Sequence, residues 1–171
     1  MEQIKKTKNI WSVVCKKSIV DNQTQLMSLI DIVEKLILDI DIGKAPIEIK
    51  NSFRDGILDK PIYAPSNVTI ASYWALQAEH RGVELKVETI IKNNKGSSLV
   101  SGILQFTTDK EHTNYRTFVG LPTFPITGSG IYSVESILKN KQGEILAKGD
   151  TPITIELNSK EIDRPLQDQG L

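Results

Sequence analysis

At 171 residues, with Lys plus Arg and Asp plus Glu both at 21, the chain carries no formal net charge; 39% of it is hydrophobic and 25% charged. That profile excludes an apolar-poor disordered chain, suits one hydrophobic core, and offers no long-range field to gather phosphate polymers or anionic lipid. A single cysteine, Cys15, rules out an internal disulfide and points to a reducing compartment.

The start, Met1 to Lys6, is basic but lacks the apolar run of a signal peptide, and no stretch nears the ~20 apolar residues that span a bilayer. The expected organisation is an N-terminal extension over 1–9, one domain over 10–157 and a polar tail over 158–171, in the cytoplasm and off the membrane. Cys15 follows Trp11, Val13 and Val14, which makes it a small core residue rather than a nucleophile. From Gln25 to Ile42 two patterns compete. Leu26, Leu29, Ile30, Val33, Leu36, Ile37 and Ile40 fit an amphipathic helix, whereas Ser28, Ile30 and Ile32 and then Leu36, Leu38, Ile40 and Ile42 fit alternation. Between Gly43 and Pro65 the prolines Pro46, Pro61 and Pro65, with Gly56, predict a long ordered loop or irregular edge, and 43–67 becomes a candidate contact surface.

Pro65 fences off a strand over Val68–Leu76 that is apolar on both faces. Val83, Leu85, Val87, Thr89 and Ile91 alternate with Glu84, Lys86, Glu88 and Lys92; Asn93–Gly96 then turns the chain into Ser97–Phe106, giving a hairpin whose Gly102 reads as a bulge or close approach. Tyr115–Val119 predicts a short strand stopped by Leu121-Pro122-Thr123-Phe124-Pro125. A meander ends the domain: Gly128-Ser129-Gly130 bends, Tyr132–Leu138 is a strand, Lys139–Gly143 turns, Glu144–Lys148 pairs back, Gly149–Pro152 turns again, and Ile153–Leu157 closes. The tail Asn158–Leu171 has too few apolar groups to offset the entropy of ordering it. The fold class is therefore mainly β: an antiparallel β-sandwich, Ig-like or C2-like, with at most one or two short helices.

The run from Ile10 to Asp21, followed by Leu26-Met27-Ser28-Leu29-Ile30-Asp31-Ile32-Val33-Glu34-Lys35-Leu36, resembles an uncharacterised family of small bacterial β-sandwich proteins, and Gly130-Ile131-Tyr132 looks like that family's late Gly-x-Tyr strand. The resemblance covers most of Ile10–Leu157, implies no catalytic residue, and moves 26–42 from helix towards strand. Physics gives the Gly-x-Tyr element its own reason: the glycine permits a sharp bend, and the tyrosine buries its ring while its hydroxyl bonds backbone at a sandwich corner.

Site chemistry is sparse. His80 and His112 have no ligand-spaced partner and read as loop residues, although both loops stay free to meet in space. Asp39 and Asp41 share one side of a strand, but two carboxylates are too few for calcium; Asp21 reads as a turn residue. Gly128-Ser129-Gly130 lacks the helix that a phosphate loop needs. Tyr63, Tyr73, Trp74, Phe118, Pro122 and Phe124 offer either core filling or a ligand shelf, with burial favoured because only two tryptophans, four tyrosines and four phenylalanines are available. The expectation is no catalytic, cofactor-binding or metal-binding residue. The leading reading is a non-catalytic binding or assembly module that meets a protein partner through 43–67, exposed strand edges or the tail, with self-association open. A hydrolase built from His80, His112, Asp39 and Asp41 is the alternative, and nucleic-acid binding through Lys5, Lys6, Lys8, Lys16 and Lys17 is the weakest.

Overall fold

The computed structural model describes residues 6–20, 27–41, 53–54 and 57–160. Period-two apolar residues build two sheets that face each other as a mainly-β sandwich. Sheet one contains β1 (Lys8–Val20), β2 (Met27–Ile32), β4 (Phe53–Arg54), β5 (Ile57–Ala75) and β8 (Asn114–Gly128). Sheet two runs in the order β3 (Lys35–Asp41), β10 (Ile145–Lys160), β9 (Gly130–Asn140), β6 (Glu84–Lys92) and β7 (Ser98–Thr107). A 3-10 turn at Ala78–His80 joins β5 to β6.

The ambiguous stretch is two strands. β2 pairs back on β1, Asp31 takes a positive φ of 52°, and the N–H of Val33 donates to the carbonyl of Val14 at 2.7 Å as the chain leaves sheet one. The Thr154 N–H donates to the Glu34 carbonyl at 2.8 Å, and β3 then runs parallel to β10. This is the one departure from the expected all-antiparallel pairing among the described strands. Alternation wins because Leu36 and Leu38 pack on the core while Ile37, their neighbour on any helical face, is 58% exposed.

Three predicted boundaries are corrected. β5 begins at Ile57 and passes through Pro61 and Pro65; its register against β8 shifts between Ile57 and Ile62 and again between Pro65 and Val68, where a missing N–H is accommodated. β8 continues through Pro122 and Pro125 because, among the described residues, it is bonded only to β5, and an edge strand tolerates an absent donor. β10 is continuous through Gly149–Pro152, since β3 comes alongside only at Thr154 and, among the described residues, Pro152 still faces one strand alone. The part of the predicted contact loop over 43–52 and 55–56, and the tail over 161–171, lie outside the described residues; Asn158–Lys160 belong to β10. Lys8 and Asn9 belong to β1, so this part of the expected extension is strand.

The interior has a division that no single strand reveals. One apolar cluster centres on Val14, Ile70, Ile91, Phe124, Tyr132, Val134 and Ile153, and a second on Trp74, Leu76, Leu85, Val87 and Leu138. Between them lies a belt of small or polar residues in lateral register. In sheet one Ser12 pairs with Ser72 and Ser72 with Thr117; in sheet two Gly149 pairs with Ser136, Ser136 with Thr89, and Thr89 with Gly102. The belt is hydrogen-bonded across the sheets. Asn9 Nδ2 donates to Ser12 Oγ at 3.0 Å, Ser12 Oγ to Ser72 Oγ at 2.9 Å, and Ser72 Oγ to Ser136 Oγ at 3.1 Å, while Trp74 Nε1 donates to Thr117 Oγ1 at 2.9 Å. At the β7 end of the belt, Thr89 Oγ1 is buried with no hydrogen-bond partner among the described residues.

Candidate functional site

The aromatic residues divide between core and surface. Trp74 and Phe124 are fully buried, which is the core reading; Tyr63 is 55% exposed, and Tyr73 and Phe118 lie half-buried on the outer face of sheet one. There the pairings Trp11 with Tyr73 and Tyr73 with Arg116 form a lateral row. The Trp11 and Tyr73 rings are 5.6 Å apart between centroids, and the Arg116 guanidinium sits 5.6 Å from the Tyr73 centroid. Tyr73 and Arg116 of this row line a cleft of about 440 Å³ that also touches Val20, His112, Asn114 and Phe118. Sequence reasoning missed Trp11 and Arg116 because only strand pairing places them beside Tyr73.

The loops carrying the two histidines do meet, but the rings are held separately. The Gly82 N–H donates to the Asp109 carbonyl at 3.0 Å and the Thr108 N–H to the Val83 carbonyl at 3.0 Å. His80 Nδ1 is 2.7 Å from Thr7 Oγ1, which also accepts from the Gln77 N–H at 3.0 Å, so this ring ties the start of β1 to the turn after β5. His112 Nδ1 lies 2.7 Å from Asp109 Oδ2, and Asp109 Oδ1 accepts the N–H groups of Glu111 at 3.0 Å and His112 at 2.7 Å. The His112 N–H is the largest cause holding Asp109 well below the usual carboxylate range, at about 2; it outweighs desolvation and is helped by the His112 side chain, the Tyr115 hydroxyl and the Glu111 N–H. The result is an ionised loop staple.

Asp39 is elsewhere, on β3, accepting from Asn158 Nδ2 at 3.1 Å; Asp41 is also on β3, and Asp21 lies outside the described residues. No three His, Cys, Asp or Glu side chains gather into a metal-binding group among the described residues. Cys15 is fully buried, and desolvation pushes its thiol up despite an opposing backbone hydrogen bond at Lys17. Lys16 Nζ donates to the Ser66 carbonyl at 3.0 Å, and Lys17 is exposed. Gly128-Ser129-Gly130 is a strand corner: Ser129 Oγ accepts the Leu157 N–H at 2.9 Å.

The sheet edges differ in their protection. β2 is short and kinked by the positive φ of Asp31, β3 carries Lys35, Asp39 and Asp41, and β8 carries Arg116 and two prolines. β7 has ten residues, Ser98 to Thr107, with no charge and no proline, and among the described residues it is hydrogen-bonded on one side only, to β6. Its bulge is at Leu99, because Ile91 pairs with Val100 and Lys92 with Ser98; Gly102 is in regular register. Gly102 is instead an opening, since a Cβ added there would meet no atom within 4 Å. Ile103, beside it on the outer face, is 64% exposed. The uncharged composition is readable in the sequence, but the edge position is not.

No family model and no curated protein matches this chain. Among solved structures it is similar to a putative beta-galactosidase from Bacteroides fragilis, with 13% identity and a TM-score of 0.40 over 57% of this chain and 15% of that one. It is also similar to Bacteroides uniformis beta-glucuronidase, with 14% identity and a TM-score of 0.37 over 57% of this chain and 12% of that one. The chain thus spans a small fraction of either protein's length.

Proposed function

We propose that this chain is a non-catalytic binding or assembly module that receives a protein partner along the free edge of β7. The observation behind this reading is the contrast between β7 and the other edges: a ten-residue strand with no charge and no proline leaves a row of backbone donors and acceptors ready for an added strand. Ile103 supplies exposed apolar surface at its middle, and Gly102 leaves room for a neighbouring side chain. The hydrolase alternative has less behind it, because His80, His112 and Asp39 each bond a different partner.

The test is capture of partners by the intact chain and by Ile103→Lys. The substitution adds a charge to an exposed site, so the far-ultraviolet spectrum is expected to stay unchanged while a specifically bound partner is lost. Retention of every partner by a folded Ile103→Lys chain would sink the β7 reading.

A further inference from the structure

We infer that the strand added to β7 is β7 of a second copy of this chain, paired antiparallel about a two-fold axis through Ile103. This deepens the β7 reading and rests on it. Directly opposed residues of an antiparallel pair point to the same face, so a strand can pair with itself only in registers that keep its inward residues against inward ones. After the bulge at Leu99, β7 runs in regular register from Val100 to Thr107, and Ile103 lies near the middle of that stretch.

A two-fold at Ile103 places Val100 opposite the second copy's Phe106, Gly102 opposite its Leu104, Ser101 opposite its Gln105, and Ile103 opposite itself. Each pairing matches in chemistry. Val100 and Phe106 border the two apolar clusters, so their cross-copy contacts continue the core. Leu104 of each copy meets the space beside Gly102 of the other, where an added Cβ touches nothing within 4 Å. On the outer face the two Ile103 side chains, 64% exposed in one chain, cover each other. Since β7 has no charged residue, self-pairing opposes no like charges on this strand. Moving the axis to Gly102 would set glycine against glycine and give Ile103 a serine partner, which buries less. The Ile103 axis is self-complementary, as an isologous interface requires.

The experiment is sedimentation of the purified intact chain over a concentration series, with Ile103 variants. The wild type is expected to reach a dimer; Ile103→Lys and Ile103→Glu are each expected to weaken it by about tenfold or more, through lost apolar burial and opposed like charge, and an equimolar mixture of the two is expected to restore it. Oxidised Ile103→Cys is expected to form a disulfide-linked dimer, because only a two-fold at this position brings the residue against itself, while Ile145→Cys, exposed to 63%, is not. A wild type that stays monomeric, or a dimer indifferent to all Ile103 changes, overturns the inference. A monomeric wild type whose other partners are still lost in Ile103→Lys would leave the β7 binding reading intact, so the two failures are distinguishable.

Discussion

At the residue scale, two hydroxyl groups make opposite contributions. The Tyr132 ring is fully buried, and its hydroxyl donates to the Gly128 carbonyl at 2.9 Å while accepting the Thr127 N–H at 2.9 Å, so the Gly-x-Tyr corner read from the sequence is present. Tyr132→Phe takes the hydroxyl away from both backbone groups and is expected to cost about 1–3 kcal/mol, read as a lower urea midpoint at unchanged slope. Thr89 has a buried hydroxyl with no partner among the described residues, in the same interior. Thr89→Val keeps the shape and removes the desolvated hydroxyl; stability is expected to rise by about 1 kcal/mol in the same assay. A decrease would show that the Thr89 hydroxyl finds a hydrogen-bond partner in solution.

Whole strands bring together side chains that their own sequences keep apart. Gly149 lies where β10 crosses β1, and an added Cβ would fall 2.5 Å from Ser12 Oγ and 2.6 Å from Asn9 Oδ1. Gly149→Ala therefore forces the polar belt apart and is expected to destabilise by about 1–3 kcal/mol, whereas Gly143→Ala, with open space around it, disturbs only a positive-φ turn. On the outer face of sheet two, Glu135 accepts from Lys92 and Lys148, each at 2.7 Å, and joins β6, β9 and β10. Burial alone would push Glu135 up, but the hydrogen bonds and charges of Lys148 and Lys92 prevail and hold it below the ordinary glutamate value. Because the folded pKa is depressed, its stabilisation is present above the unfolded value of about 4.3 and disappears as the pH falls through the lower folded value. Glu135→Gln is expected to flatten the acid side of the stability-versus-pH curve in this window; an unchanged slope would show that the two lysines do not hold the carboxylate ionised.

At the scale of the whole molecule, sandwich edges decide what the fold can join. β7 is one edge of sheet two, and self-pairing there would extend that sheet across two chains. Association that requires the folded edge couples stability to concentration, so the thermal midpoint of the wild type is expected to rise with protein concentration and that of Ile103→Lys to rise less over the same range, as followed by circular dichroism. Equal concentration dependence in both would place any self-association away from β7.

The sequence by itself determined the local rhythm: the β6–β7 hairpin, the Tyr132 corner, and the apolar faces of β5 and β9 follow from alternation and turn chemistry within a few residues. It did not determine where a proline ends a strand, because Pro65, Pro122, Pro125 and Pro152 are tolerated according to which neighbour lies alongside, and that neighbour comes from elsewhere in the chain. Nor did it choose between helix and strand for 27–41, where both periods fit and pairing with β1 and β10 decides. The polar belt and the row of Trp11, Tyr73 and Arg116 required lateral register, and the importance of β7 required its place at an edge. Side-chain periodicity is a property of adjacent residues, whereas register and edge position arise only when distant strands bond.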